Sequence, residues 1–575
     1  MHLLDWLIVL LLNGSIIAYG FYLSRGTVSS SEWFLGKRAL PWWGIGLSMF
    51  ATNVDNADIV SVTGKTFTTG LHIISVYAIG SAVGGILAAF VIVPNMYRAG
   101  FFTNAEYLEA RFGATARVLS AIIQIQYRSS MLGLILYSVF VLLTGLDIMG
   151  PEAAWTMIVL LVICSGVYTA WGGLKSVVWT DALQGIVMML GGLVIFVSVW
   201  NAAGGWSGLQ TALAQQDAQQ TVQPSTSQSD LLHIGKFNGG EGSDAPYVIS
   251  IARRDFNLGP FLVVIGWMIV GSGYWTVNHT QTMRLLGARS LWDMKMAAVA
   301  GIAFSLPIMI TIACLGLFGH ALPELQNMQQ PDQLYPLLVK LYLGVGFKGL
   351  VVAGIVAATV STVDSMGSAL SAIFTRDIYA RLLVRDRDDQ HYLRVGRWAT
   401  LGVLLTGFLY LPFIMLQRNM LDAFITLIPV LVTPLFTMYL LGSFTRVSRK
   451  SGVAGLSTGA LYGLFALYCR EAPNIEWLPN IEGVSIWFWG RWIAFCWSFV
   501  ITACTMGIVT CSTGLQPQNE LLAVQQTGWL ARSSEELPEL KEHPFQKNIP
   551  WWANPPAYAV ALLVLCIYVV FELFW

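Results

Sequence analysis

The chain has 575 residues, of which 55% are hydrophobic and 11% charged, whereas about 25% of the residues in a soluble globular protein are charged. With a mean hydropathy of +0.62, this composition excludes an ordinary soluble domain and predicts a protein that crosses the membrane several times. The 32 basic and 32 acidic residues balance, so charge gives no reason to expect nucleic acid as a partner, and the seven cysteines have no metal-ligand spacing.

Fourteen apolar segments are each long enough to cross the hydrocarbon core, which takes a helix of about 20 residues. They are 4–23, 40–66, 72–97, 117–147, 153–172, 176–200, 259–283, 294–320, 347–380, 395–416, 420–444, 452–470, 486–511 and 552–574. Because backbone polar groups cannot stay unpaired in lipid, these segments predict an all-α integral membrane protein with about fourteen transmembrane helices. The lipid bilayer is therefore its first predicted partner.

The first segment predicts the orientation of the chain. It has Asp5 near its start, lacks a basic region before the apolar stretch, and is followed by basic residues that begin with Arg25. It is therefore interpreted as a retained helix whose N-terminus lies outside the cell. Counting on from there, the loops assigned to the cytoplasm hold most of the lysine and arginine residues, as the positive-inside rule requires. We expect a multi-pass protein of the plasma membrane with both termini extracytoplasmic.

The second segment, 40–66, is interrupted by a polar run. The run is Ala51-Thr52-Asn53-Val54-Asp55-Asn56-Ala57-Asp58. Asn and Asp compete with the backbone for hydrogen bonds and favour turns over helix, so the run predicts a helix broken at membrane depth. Such a break frees carbonyl oxygens and is tolerated only where protein or a water-filled cavity surrounds it.

The fourth segment, 117–147, carries Arg128 near the middle of the membrane. A guanidinium group suits bidentate recognition of an anion. An internal ion pair with Asp55 or Asp58, or a side chain that extends toward the membrane surface, is an equally open interpretation.

Segment 259–283 is interrupted as well, at Gly271-Ser272-Gly273 and then at Asn278-His279-Thr280-Gln281. Two interrupted helices five spans apart predict five-plus-five inverted repeats. The predicted organisation is a peripheral helix and cytoplasmic loop in 1–39, a first repeat in 40–201, an extracellular loop in 202–258, a second repeat in 259–444, and peripheral helices with a cytoplasmic loop (512–551) in 445–575.

Segment 347–380 places hydroxyl groups and a carboxylate in an apolar helix. Four small or hydroxyl-bearing residues of the segment share one helix face, with Asp364 at its margin: Ala358, Ser361, Thr362 and Ser365. An acid at the bilayer centre costs about 2.5–3.5 kcal/mol on insertion scales, so it usually faces a pathway or a partner. Small residues and oxygens on one stripe predict a site for a hard cation, although small hydroxyl residues also serve close helix packing.

Three passages of the chain resemble the solute:sodium symporter family, which includes bacterial sodium/galactose, sodium/proline and sodium/sialic acid symporters. They are Phe34-Leu35-Gly36-Lys37-Arg38 with Pro41-Trp42-Trp43, Gly172-Gly173-Leu174 with Trp179-Thr180-Asp181 and Gln184, and Ala358 through Ser361-Thr362 to Phe374-Thr375-Arg376-Asp377-Ile378-Tyr379. The resemblance spans about 30–450. It implies a LeuT-type fold and secondary transport with Na+ as the coupling ion, and the fourteen spans resemble the sugar-transporting branch.

The resemblance also implies positions for sodium. The shared site would be formed by the carbonyl groups of Ala51, Val54 and Ala358 and the hydroxyl groups of Ser361 and Thr362. A second site, found in some members, maps to Asp181, Asp364 and Ser365. The chain departs from the sialic acid type in having Asp364 where a serine is usual. A helix cap for Asp181, and a paired or neutral buried acid for Asp364, are the alternatives.

The solute is less defined. The sugar-binding positions of galactose symporters fall on Asp58, Tyr77 and about Thr426, so galactose specificity does not carry over. The candidate substrate contacts are Asn53, Asp55, Asp58, Tyr77, Arg128 and Asn278. A neutral sugar is the first predicted solute, and a sugar acid or other carboxylate bound by Arg128, as in sialic acid symporters, is the second.

Two other classes of protein remain as alternatives. An ion channel needs a continuous polar pore, whereas the polar residues here gather at the two interrupted helices. A membrane-embedded enzyme needs a nucleophile or metal constellation, and the sequence shows none outside the cation-like stripe. The sequence therefore predicts a transporter rather than an enzyme, one that imports a small polar organic solute with sodium by alternating access.

Overall fold

The protein is almost entirely helical. The computed structural model describes residues 1–25, 29–219, 227–237, 247–251, 254–326, 328, 330–416, 420–472, 479, 484–517 and 550–575. Most of the predicted loop 512–551 and parts of the predicted loop 202–258 lie outside these residues. The described part of 202–258 contains the helix Gly205–Gln219, two short 3-10 helices, and an antiparallel hairpin in which Val248 lies opposite Asn257.

The helices and strands follow one another in a simple order. The helices are α1 (Leu3–Leu23), α2 (Ser30–Leu35), α3 (Trp42–Asn53), α4 (Asn56–Thr69), α5 (Ala82–Leu87), α6 (Val93–Arg98), α7 (Asn104–Phe112), α8 (Ala114–Gly145), α9 (Pro151–Ala202), α10 (Gly205–Gln219), α11 (Gly259–Val277), α12 (His279–Leu286), α13 (Leu291–Phe318), α14 (Leu334–Tyr342), α15 (Phe347–Ile373), α16 (Asp389–Leu405), α17 (Leu411–Met415), α18 (Met420–Phe444), α19 (Ser451–Glu471), α20 (Ile486–Trp489), α21 (Ile493–Thr513) and α22 (Pro555–Tyr568). The strands are β1 (Val248–Ile251) and β2 (Arg254–Asn257). Tighter or wider helical turns extend several of them, the longest being the π-helical turns of Phe374–Leu383 after α15.

Twelve helices of the described residues are long and apolar enough to cross a membrane. One of these, α9, contains two predicted segments, because its backbone turns at Gly173 (φ 63°, ψ −171°). A Cβ at Gly173 would lie 2.8 Å from backbone and side-chain atoms of Trp33, so the turn and the close approach both require glycine. The broken segment 40–66 corresponds to α3 and α4, each shorter than a full span. Each of the fourteen predicted segments thus coincides with one or two helices of the structure.

The first break lies between α3 and α4. Val54 is extended (φ −117°, ψ 97°), and Asp55 then caps α4 by accepting a hydrogen bond from the Asp58 N–H at 3.0 Å. The Asp58 carboxylate in turn accepts from the Asp55 N–H at 3.3 Å. This reciprocal capping box starts a new helix, as the polar run predicted.

The second break is a single residue. Asn278 is extended (φ −69°, ψ 104°), and its side chain accepts from the Thr280 N–H to cap α12. The predicted interruption at Gly271-Ser272-Gly273 is wrong, since α11 runs through these residues. Glycine serves packing there: a Cβ at Gly271 would lie 2.0 Å from the Gly80 carbonyl oxygen, so small residues let two membrane helices approach closely.

The two broken helices contact each other and the long helices beside them. α3 packs on α9 and α13, α15 packs along α9, and α12 contacts α3 and α15. A backbone bridge joins the residues just before α3 to those just after α12, since the Leu40 N–H donates to the Gly287 carbonyl at 3.2 Å. α3 therefore packs against both α9 and α15, and α12 packs against α3 and α15.

Candidate ion and substrate site

The predicted sodium site brings the end of α3 next to the middle of α15. The Ser361 hydroxyl donates to the Ala51 carbonyl at 3.3 Å, and the Thr362 hydroxyl donates to the Ala358 carbonyl at 3.0 Å. All four residues, and Val54, are buried. Five predicted ligands thus lie on the two elements that the sequence named, and the structure joins them through the Ala51 to Ser361 contact.

The capping box explains why the Ala51 carbonyl is available. In a continuous helix, the N–H of Asp55 would occupy the Ala51 carbonyl. Here the Asp55 N–H donates to the Asp58 carboxylate instead, so Ala51 is free to accept from Ser361. Two oxygens 3.3 Å apart can both contact a hard cation held at about 2.3–2.6 Å from each. Their neutral charge lets such an ion leave again.

Asp181, assigned to a second sodium site, is paired with an arginine that the sequence analysis missed. Arg284 is fully buried, and its Nη2 lies 2.7 Å from Asp181 Oδ2. The same guanidinium donates to Ser48 Oγ at 2.7 Å, to the Thr280 carbonyl at 2.5 Å and to Ser365. Its place in a polar stretch just after the second break was the available signal.

Asp364, assigned to the same second site, has different partners. Its Oδ1 accepts hydrogen bonds from Ser165 and from Thr169, the latter at 2.8 Å. Asp181 and Ser365 remain neighbours at 3.3 Å. Among the described residues, the predicted set therefore separates into an Asp181 and Ser365 cluster around Arg284 and an Asp364 cluster facing the first half of α9. Asp181 Oδ1 has no hydrogen-bond partner among the described residues, so one of its oxygens stays available.

Four of the candidate substrate residues lie near one another on α4, on α8 and on the π-helical turns of Val76–Ser81: Asp55, Asp58, Tyr77 and Arg128. The Tyr77 hydroxyl donates to Asp58 Oδ1 at 2.6 Å. The guanidinium carbon of Arg128 lies 5.6 Å from the Tyr127 ring centroid and 5.9 Å from that of Tyr274, and its charge interacts with both Asp55 and Asp58.

Arg128 is buried with open hydrogen-bond donors. Its residue exposure is 2%, and neither Nε nor Nη1 has a hydrogen-bond partner among the described residues. A buried guanidinium with unused donors is costly unless a ligand completes it. Arg128 therefore has donors open to a ligand, while its charge interacts with Asp55 and Asp58.

Two candidate asparagines have structural partners. Asn53 donates to Ser305 Oγ at 3.1 Å, so it faces α13. The Oδ1 atom of Asn278 accepts the hydrogen bond that caps α12, while its Nδ2 has no hydrogen-bond partner within the described residues. Tyr274 links the two broken helices by donating to the Thr52 carbonyl at 3.3 Å.

Ion pairs lie toward both ends of the core. Toward the predicted outer face, Asp422 pairs with Lys65 at 3.0 Å and with Arg491 at 2.6 Å. Beside them, burial and the neighbouring Asp422 carboxylate raise the pKa of Asp332 to about 7.

Toward the predicted inner face, Arg117 is the centre of a larger cluster. It pairs with Glu106 at 3.2 Å, Glu109 at 2.7 Å and Asp377 at 2.7 Å. Burial works against ionisation of Glu109, but hydrogen bonds from Arg117 and Arg381 hold its pKa below the ordinary value. Both ends of the polar core are therefore crossed by charged contacts between separate helices.

Comparison with known proteins places this geometry among membrane transporters. The model of the sodium:solute symporter family matches residues 33–464. The chain is 27% identical to sodium/glucose cotransporter 4 of Mus musculus over 81% of the chain and 69% of the relative. It is 27% identical to the sodium/glucose cotransporter of Vibrio parahaemolyticus over 78% and 82%, and 24% identical to the sodium/sialic acid symporter NanT of Aliivibrio fischeri over 83% and 88%.

Two solved structures share the fold. One is the substrate-bound outward-open state of a Na+-coupled sialic acid symporter, with a TM-score of 0.70, 20% identity and coverage of 88% of this chain and 98% of that one. The other is the nucleobase-cation-symport-1 family transporter Mhp1 in a closed conformation, with a TM-score of 0.50, 11% identity and coverage of 85% and 97%. These likenesses confirm the predicted all-α membrane fold of the LeuT type.

Proposed function

This chain belongs to the sodium:solute symporter family, whose model matches residues 33–464, and on that premise we propose that it imports a small polar organic solute, first of all a sugar, across the plasma membrane. The protein is a multi-pass sodium-coupled symporter of a sugar or a related solute, and it is not an enzyme. The finer assignments that follow concern the ion ligands, the solute and the direction of transport.

The contact between Ser361 and Ala51, at 3.3 Å, carries the sodium assignment. It joins a carbonyl freed by the first break to a hydroxyl on α15, and both are neutral oxygen ligands of the kind that hard cations prefer. An ion at this contact ties α3 to α15. Sodium then favours the conformation in which the two helices are together, and it acts on the transport equilibrium through that preference.

The charged clusters support alternating access. Lys65 on α4 pairs with Asp422 on α18, and Arg117 on α8 pairs with Asp377 after α15, so each cluster joins the two predicted repeats. Opening toward one side requires that side's pairs to separate while the other side's pairs persist. In the proposed orientation, with both termini extracytoplasmic, the Asp422 cluster is the outer one.

The polar groups near the first break suit a sugar. Sugar hydroxyls both donate and accept hydrogen bonds, and the site offers acceptors on Asp55 and Asp58 and donors on Arg128. Because two carboxylates already lie beside the single guanidinium group, the site does not favour an anionic substrate. A neutral sugar is therefore the first candidate. The open Nε and Nη1 donors of Arg128 support a sugar acid or another carboxylate as the second candidate.

Removal of the two α15 hydroxyls tests the coupling ion. In proteoliposomes with an imposed sodium gradient, Ser361→Ala combined with Thr362→Ala abolishes sodium-driven uptake, because two neutral ligands are lost. Thr359→Ala is the matched control, since Thr359 bonds only the carbonyl of its own helix at Ile355 among its described contacts. Sodium-stimulated uptake by the double variant at the wild-type level contradicts the assignment.

The solute is identified by a stability screen. Sugars, sugar acids and amino acids are added to purified protein with and without sodium, and the thermal midpoint is measured, since a ligand of the native state raises its stability. We expect a sugar to raise the midpoint more with sodium than without it. A screen in which only sugar acids do so replaces the first candidate by the second.

A further inference from the structure

Arg98 and Lys295 are two neighbouring cations without an acidic partner. Arg98 is the last residue of α6, and Lys295 lies in the first two turns of α13. Their charges act on each other, so the two side chains lie close together. Neither forms an ion pair with an aspartate or glutamate in the described part of the chain, and the buried Nε of Arg98 has no hydrogen-bond partner there. Because like charges repel, the pair requires an anion to balance it.

The other charged groups around the pair are already bonded. Asp293, the acid closest to Lys295 in the chain, accepts hydrogen bonds from Arg289 at 2.9 Å and from the Ser290 hydroxyl at 2.7 Å. Arg38, by contrast with Arg98, donates to the carbonyl of Tyr97 at 3.0 Å. The fold therefore completes the neighbouring charges and leaves this one pair of cations without a counterion among the described residues.

The surroundings of the pair are aromatic. The Lys295 Nζ lies 5.3 Å from the centroid of the Phe90 ring. One turn before Lys295, the ring of Trp292 meets that of Trp42 edge to face, with the centroids 6.4 Å apart. Tryptophan is enriched where the hydrocarbon core of a membrane meets the headgroups. Arg98 ends one candidate membrane span, and Lys295 lies near the start of another, so the pair lies at the level of the headgroups.

We propose that Arg98 and Lys295 form a binding site for the phosphate group of an anionic phospholipid. Phosphate oxygens accept hydrogen bonds from both guanidinium and ammonium groups, and basic pockets between membrane helices bind anionic headgroups. In the proposed orientation, the site faces the cytoplasmic leaflet. The ligand is a lipid rather than free phosphate, because the ring of Phe90 offers an apolar surface beside the charges.

A phosphate at this site joins the end of α6 to the start of α13. α13 packs on α3 and on α4, the two halves of the first broken helix. A lipid that holds α13 in place therefore stabilises the native state, and this effect depends neither on the coupling ion nor on the solute.

A thermal-shift measurement on the purified full-length protein in neutral detergent tests the proposal. Phosphatidylglycerol, phosphatidylcholine and inorganic phosphate are added separately, and only phosphatidylglycerol raises the midpoint, since a ligand of the native state stabilises it. Arg98→Gln combined with Lys295→Gln weakens the apparent affinity for phosphatidylglycerol about 30-fold, which corresponds to about 2 kcal/mol. The matched control is Lys175→Gln combined with Arg394→Gln, which removes two exposed cations of the predicted cytoplasmic face and leaves the affinity unchanged.

The single variants Arg98→Gln and Lys295→Gln each weaken the affinity about fivefold, and they decide the question if the double variant does not fold. Unchanged affinity in these variants overturns the site, and so does an equal loss in the control variant. An equal shift with phosphatidylcholine overturns the recognition of the anionic group. A shift with inorganic phosphate as large as that with phosphatidylglycerol overturns the lipid as the ligand.

Discussion

Two buried arginines, Arg128 and Arg284, lie in surroundings that differ in one respect. Arg284 is 0% exposed, and each of its guanidinium nitrogens has a partner in the chain. Arg128 is 2% exposed, and its Nε and Nη1 have none within the described residues. Both residues are buried arginines, so the difference lies in whether the fold completes the hydrogen bonds. A completed arginine stabilises the fold, and an incomplete one is available to a ligand.

The same distinction separates the two acids of the predicted second sodium site. Asp181 shares its Oδ2 with Arg284, Ser48 and Ser365. Asp364 has hydroxyl partners but, within the part of the chain that the structure describes, no cationic partner. The sequence predicted a sodium ion beside Asp181, and the structure has the positive charge of Arg284 there. This fixed charge reduces the attraction of Asp181 for sodium. Asp364 has no such charge bonded to it among the described residues.

The largest effect is expected from Arg284→Gln. This change leaves Asp181 buried without its cation, and breaking a buried pair costs about 3–5 kcal/mol. We expect a poor yield of monodisperse protein on gel filtration and a lowered thermal midpoint. The same substitution at Arg128 is the control, and it leaves the midpoint nearly unchanged. Adding Asp181→Asn to Arg284→Gln restores part of the stability. An Arg284→Gln variant as stable as the wild type contradicts the claim that Arg284, unlike Arg128, stabilises the fold.

Arg128→Gln has a smaller effect, and on transport rather than on folding. It removes a charged donor, and hydrogen bonds to charged groups are worth about 1.5–3 kcal/mol, so KM for the solute rises about 10–100-fold. The measurement is initial uptake against solute concentration in proteoliposomes at saturating sodium. An unchanged KM with a lowered thermal midpoint shows instead that Arg128 is held by Asp55 or Asp58 for structural reasons.

Tyr77→Phe has the smallest expected effect and refines the same comparison. The Tyr77 hydroxyl donates to Asp58 at 2.6 Å, so its loss leaves Asp58 free to engage Arg128. We expect KM to rise about twofold to tenfold, in line with one hydrogen bond. In the double variant with Arg128→Gln, the effects are less than additive, because both changes act on one network. Full additivity indicates that Tyr77 and Arg128 act independently.

Part of the site followed from the sequence because its causes are local. The break after Asn53 was predicted from a run of asparagine and aspartate, and the structure shows a capping box between Asp55 and Asp58, three residues apart. That box also frees the carbonyl of Ala51, a residue that the family resemblance names as an ion ligand. The predicted break at Gly271 was wrong for the opposite reason: glycine there allows a distant backbone, at Gly80, to approach, and the local sequence does not record that neighbour.

The sequence by itself determined that the chain is a helical membrane protein, that a break separates α3 from α4, and that neutral oxygens line one face of α15. These features follow from hydropathy, spacing and capping, which act over a few residues. Only the tertiary structure decided which buried charges are compensated. Asp181 and Arg284 are 103 residues apart in the chain and Ser165 and Asp364 are 199 apart. Their partners depend on which helix faces pack together, because a buried charge must be matched in space by whatever the fold brings beside it.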